Sequence, residues 1–278
     1  MKKVSILTVL AAFLLCGCKS AVEPNDLAYV VAVGIDDADG ADYDFTLQIA
    51  NPQAISGGSS EEGGEGGRET VTDITITAPT VFSAVNIANH LYSKQLSLAH
   101  TKLIAVSEEL ARGEGLSEFG ELIARSEEIR PNTYLSVTSC AAKEYLAAIK
   151  PTNEVNPVQY YQVIFDSDYT GFIPHNPSQD FYAKNMSAAC ENVLPLSGIK
   201  SDGEAGIFTD NFEYMTKNYL AGEVEADGDE QTQTYGMAVF SGGRMIAAAG
   251  AVECELYNIL TGGYSHSAVT YLDRNSPD

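Results

Sequence analysis

The side chains with chemistry to offer are few and scattered. The four histidines, His90, His100, His175 and His266, form no H-E-x-x-H pair and sit at no metal spacing with cysteine. No G-x-S-x-G elbow, P-loop or G-x-G-x-x-G fingerprint occurs, so no cofactor is implied. The aspartates Asp36, Asp37, Asp39, Asp42 and Asp44 lack the twelve-residue spacing and closing Glu of a calcium loop. They are expected to form a solvated hairpin turn. Arg125 and Arg130 stand five apart and have the fork geometry to grip a carboxylate. The alternative is pairing with Glu121, Glu127 or Glu128. His100 is a candidate partner or ligand contact, or else a hydrogen-bonding residue leading into a strand. Cys140, Cys190 and Cys254 give neither a disulfide framework nor a ligand set, and one disulfide among them is left open.

Cys18 is different in kind. Met1-Lys2-Lys3 is followed by an apolar run from Val4 to Leu15, shorter than the roughly twenty residues that span a bilayer. Leu15 lies three positions before Cys18 and Gly17 immediately before it, an arrangement that resembles the lipobox of bacterial lipoproteins. The expectation is a signal peptide over 1–17, lipidation of Cys18 and an anchor linker over 18–25. Loss of 1–17 removes two lysines and no acid, moving the net charge from −22 to −24. Such a surface repels nucleic acid and anionic head groups, so acyl chains must hold the protein at the membrane.

The elements that would carry these residues read as strands mixed with helices. LAYVVAVGI, from Leu27, is apolar throughout, as in a strand covered on both faces. Tyr43, Phe45, Leu47 and Ile49 alternate with Asp44, Thr46 and Gln48, predicting a half-buried strand hairpin-linked to the first. SGGSSEEGGEGG over 56–67 cannot bury a core and is expected to loop. Thr70–Thr77 predicts a third strand. Val81, Ala84, Val85, Ala88, Leu91 and Tyr92 share a helical face. Strands are expected at Lys102–Val106, Thr133–Thr138 and Asn192–Ile199. Helices are expected around 108–112, 116–124, 142–149, 158–165, 179–189 and 253–260. Thr234–Phe240, Ser241-Gly242-Gly243-Arg244 and Met245–Ala248 predict a hairpin turned by two glycines. The fold class expected is α+β, in two domains that are each a mixed sheet flanked by helices. The first covers 26–190, with its core to about 150 and a helical extension after. The second, smaller domain covers 191–278.

Several of these stretches together resemble the Ger(x)C family, the C-subunit lipoproteins of spore germinant receptors. They are Ile35-Asp36 closing an apolar strand, Ala50-Asn51-Pro52 closing the next, and His100-Thr101-Lys102 before a hydrophobic segment. Glu108-Glu109 opening a helix and the R-x-x-x-x-R of Arg125 and Arg130 follow. TYGMAVFSGGRMIAA looks like the family's second-domain signature, while the Trp-Asp common after the lipidated Cys is replaced by Lys19-Ser20. Members run about a hundred residues further into a third domain, so set against the resemblance this chain is expected to be either a fragment or a reduced variant without that C-terminal third domain. It also implies a non-catalytic subunit on the outer face of the cell membrane or spore inner membrane. Its partners would be the integral membrane A and B subunits, and it would act in the nutrient response of a sporulating bacterium. The rival readings are a substrate-binding lipoprotein of a transporter, which would want two similar lobes, and a secreted hydrolase using a carboxylate pair.

Overall fold

A computed structural model describes residues 23–38, 40, 42–56, 70–113, 116, 126, 128–150, 154, 156–166, 170–185, 191–200, 218–224 and 228–263. Cys18, the stretch 57–67, Arg125, Cys190 and all but Leu116 of the helix expected at 116–124 lie outside them.

Among the described residues, nine strands form one mixed sheet: β1 Leu27–Asp37, β2 Tyr43–Ala50, β3 Val71–Ala78, β4 Gln95–Ser97, β5 Leu103–Ser107, β6 Tyr134–Thr138, β7 Asn192–Ile199, β8 Thr232–Ser241 and β9 Arg244–Ala249. Their order is β3-β2-β1-β5-β6-β7-β8-β9, with β4 paired to the start of β1. β1, β5, β6 and β7 are parallel neighbours, while β2 and β8 run against them. The stretches expected in two sheets therefore share one. β7 joins β6 through Val137 opposite Leu196 and Thr138 opposite Ser197. Parallel strands meet across long crossovers, so this pairing leaves no local pattern to read.

Helices cover both faces. On one lie α2 Val81–Ala88, α3 Glu108–Arg112 and α6 Ser178–Asn185, packed with Ile35, Phe45, Val106, Val137, Leu194 and Phe240. On the other, α4 Ala142–Ala148 and α5 Pro157–Phe165 cover Val31, Leu103 and Ala105, and α7 Ala251–Thr261 covers Val193 and Met237. A short α1, Pro52–Ser56, follows β2. Thr80 caps α2, its Oγ1 accepting from the Ser83 amide at 3.1 Å. Asn156 caps α5 in the same way, with Pro157 at the first helical position. α2 stops at Ala88, short of the expected face, and Leu91 is 68% exposed beyond it.

β1 is buried along nearly its whole length, as its unbroken apolar run requires. β2 corrects the half-buried expectation. Thr46 and Gln48 lie beneath α4, each about 1% exposed. The Gln48 amide donates to the Leu146 carbonyl at 3.3 Å and accepts from the Tyr161 hydroxyl at 2.5 Å. Gly34 lets α4 approach: a Cβ there would stand 3.1 Å from Leu146 Cδ1. Gly242 and Gly243 take φ of 57° and 82° in the β8–β9 turn, as the sequence predicts.

Candidate functional site

β5 and β6 are adjacent and parallel, but their helices leave on opposite faces of the sheet. α3 follows β5 directly onto one face, and α4 follows β6 onto the other. Diverging connections of this kind open a crevice outside the carboxyl ends of the strands. A cleft of about 280 Å³ lies there. Its walls are the end of β1 with Asp36 and Asp37, Asp44 at the start of β2, Ser107-Glu108-Glu109, and Ser139-Cys140-Ala141 with Lys143.

Each carboxylate has its own environment. Asp36 is 7% exposed and accepts from the Ala142 and Lys143 amides at 2.6 and 3.0 Å, closing the N-terminus of α4. Burial pushes its pKa up, against the pull of those two amides and of the Lys143 charge. Asp44 accepts from Thr77 Oγ1 at 2.6 Å, and Glu108 pairs with Arg112 at 2.6 Å. Asp37 and Glu109 are exposed at the rim and have no side-chain partner among the described residues. The aspartate group is thus no simple solvated turn, because α4 arrives from more than a hundred residues away to bury Asp36.

Two further lining residues are set apart by their neighbours. Ser107 precedes α3 at the position where a serine ordinarily caps, yet it makes no cap bond and its buried Oγ has no partner among the described residues. Cys140 is half-buried with a free thiol whose pKa is raised, chiefly by burial.

His100 and Arg130, two of the residues singled out from sequence, lie at the other end. His100 and Arg130 precede β5 and β6, at the amino ends of the strands, and both are exposed. The His100 ring meets Tyr29 edge-on with centroids 4.5 Å apart. Partial burial lowers its pKa first, and the charges of Arg130 and Lys102 lower it further. His100 and Arg130 thus sit in one basic neighbourhood. Glu128 does not pair with Arg130: its Oε2 accepts from the Leu98 amide at 3.1 Å. The cleft itself was missed because its walls come from four separated stretches. The signals present were Ile35-Asp36 at the end of a fully apolar strand, the aspartates that follow it, and Glu108-Glu109 opening a helix.

The spore germination protein N-terminal domain family matches residues 20–198, from before β1 almost to the end of β7, cleft and basic end included. The chain belongs to this family. Among its relatives, spore germination protein KC of Bacillus subtilis (strain 168) is 32% identical over 227 residues, which are 81% of this chain and 54% of the relative. Spore germination protein B3 of the same strain is 26% identical over 255 residues, 88% of this chain and 64% of the relative. The crystal structure of the GerBC protein shares 11% identity at a TM-score of 0.42, over 87% of this chain and 59% of that one. The chain spans between 36% and 64% of the length of the curated relatives it matches. The C-subunit family resemblance read from the motifs is therefore upheld.

Proposed function

We propose that this chain is a lipid-anchored, non-catalytic subunit of a nutrient germinant receptor. The family match carries the reading, and it begins two residues after Cys18. An acyl group on Cys18 holds the sheet domain at the outer face of the membrane, since the net charge of −24 left after loss of Lys2 and Lys3 from −22 provides no attraction to anionic lipid. The basic group of exposed His100 and Arg130 with half-buried Lys102, and with Arg125 beside it in sequence, is the contact surface for the integral membrane A and B subunits. On a strongly acidic protein, such a patch favours an acidic partner surface. The nutrient signal passes as a change in those contacts, without covalent chemistry on this subunit.

The test is dipicolinate release from spores of the source strain across a nutrient panel. Wild type, a deletion and a Cys18→Ala complement are compared, with paralogous receptors removed. Loss of response in the deletion, unrepaired by Cys18→Ala, supports the reading. Identical release from all three spores overturns it.

A further inference from the structure

We propose that the turn over 90–95, at the amino end of the sheet, docks on a phospholipid surface with the Leu91 side chain among the lipids. The inference rests on the anchor reading and adds to it the face that the domain turns to the membrane.

Three observations carry it. The first is where the tethered chain enters the fold. Leu27, the first residue of β1, is the register partner of Gln95, and the Asn89 side chain accepts from the Leu96 amide at 2.7 Å. The turn is thereby fixed beside the start of β1. Leu27 follows Cys18 by nine positions, a reach of about 30 Å at full extension. An acyl group on Cys18 keeps this end of the sheet within that reach of the bilayer. Asp37, at the far end of β1, lies about 33 Å further along the strand.

The second is exposure. Leu91 is 68% exposed, and Ile87, one helical turn before it, is 46% exposed. Exposed Val163 and Ile246 come to the same end. Phe165, two positions after Val163, stacks on Tyr134 at the start of β6. Ile246 follows the turn after Phe240, which lies opposite Asn192 at the start of β7. Among the described residues, no exposed large apolar side chain lies in the cleft wall at the opposite end.

The third is charge. Around the entry of the chain stand Lys94, Lys102 and Arg130, against Glu23 and Asp26 before β1 and Glu128, whose carboxylate accepts from the Leu98 amide. The cleft end holds Asp36, Asp37, Asp44, Glu108 and Glu109 against Lys143. A bilayer with anionic head groups repels the acidic end and leaves the balanced one to face it. Exposed Lys94, three positions beyond Leu91, reaches a phosphate while the leucine sits at the acyl boundary. The occupant is lipid because a tether that ends in an acyl chain brings lipid to this turn whatever else is present. His100 and Arg130 share the same end, so a subunit embedded in that bilayer is met without the domain leaving it.

The chain has no tryptophan, so a single indole reports its own surroundings. Two reporters are placed separately in the lipidated chain isolated from its host membrane. One is Ser93→Trp, exposed in the turn, and the other is Glu109→Trp, exposed at the cleft end. Each is reconstituted in vesicles of phosphatidylcholine and phosphatidylglycerol whose acyl chains carry bromine, a quencher that acts only on contact. The reporter at 93 is expected to lose most of its emission relative to unbrominated vesicles, and the reporter at 109 to keep it. Leu91→Asn beside Ser93→Trp restores most of the emission. Lys94→Gln lowers the ratio of docked to free turn about fivefold, the weight of one charge at an anionic surface. All four positions are exposed, so the apolar core is untouched. Equal quenching at 93 and 109 overturns the proposal, as does a bright reporter at 93 in the acylated chain. So does quenching at 93 that is unchanged by Leu91→Asn, or that needs the integral membrane subunits in the same vesicle. The mass of the N-terminal peptide keeps the two readings apart. An unacylated Cys18 with quenching at 93 sinks the anchor reading and leaves the docking standing, while an acylated Cys18 with both reporters bright does the reverse.

Discussion

Asp36 is a carboxylate committed to structure and held in an environment that resists its charge. Its two amide bonds close α4, so Asp36→Ala is expected to cost about 1–3 kcal/mol of unfolding free energy in urea. Its pKa is raised above the usual carboxylate value, and that fixes a sign. Between the unfolded and folded pKa the native state holds more protons, so stability from this group falls as pH rises through that window. Relative to Asp36→Asn, the wild type should therefore lose ground as pH is raised from about 4, the unperturbed value. A flat difference in unfolding free energy from pH 4 to 7 would contradict this. Cys254 gives a second expectation at this scale. It is fully buried, and burial, then the charge of Glu255, raises its pKa to about 12. Mass-spectrometric mapping at pH 8 should find Cys254 alkylated only after denaturant is added. Labelling of Cys254 in the native protein at the rate of a free thiol would contradict the packing of α7.

At the scale of elements, a buried polar seam ties helices to strands. Tyr161 of α5 donates to Gln48 of β2, which donates to α4. Tyr145 of α4 meets Thr234 of β8 at 3.3 Å, and Thr234 continues to Ser197 and Ser136 at 3.1 and 2.7 Å. Tyr161→Phe leaves the Gln48 carbonyl unpaired beneath α4 and should cost about 1–3 kcal/mol. Adding Gln48→Met to it should recover part of that loss, and a double-mutant cycle in urea reads the coupling. Additive losses would show that the two side chains do not interact. The seam also marks where sequence stops being legible. β1, β2 and the β8–β9 hairpin were readable because alternation and glycine turns are local signals. Thr46 and Gln48 read as solvent-facing because the helix that covers them comes about a hundred residues later. β4, three residues with an exposed glutamine, was too short to leave a period. The cleft was unreadable for the same reason as Asp36, since parallel pairing of β1, β5 and β6 brings three of its four wall stretches together.

The whole molecule shares one apolar layer from end to end of the sheet. Val137, Phe181, Leu194, Phe240 and Met245 belong to the same cluster as Ile35, Phe45 and Val106. Hydroxyls cross the β6–β7 junction, and the Ser139 amide donates to the Ser197 carbonyl at 2.9 Å. Strands on both sides of residue 190 should therefore melt together. Coincident far-ultraviolet and tyrosine transitions in urea are expected, while two separated transitions would give residues 191–278 an independent core. Charge acts at this scale too. With a net −22, self-repulsion opposes compactness, and added sodium chloride should raise the thermal midpoint by screening it. A midpoint insensitive to salt would mean that the acids are spaced too widely to repel.

The opposite departures of α3 and α4 have one more consequence, which concerns divergence. Asp37, the last residue of β1, and Glu109, in the first turn of α3, contribute nothing to either apolar layer. The sheet beneath is held by Asp36 and Gln48, which bond α4, and by Thr46, which bonds Thr75 across to β3. Relatives are thus free to exchange the rim residues one at a time without paying in stability. Change at the rim of the crevice is thereby decoupled from change in the framework beneath it.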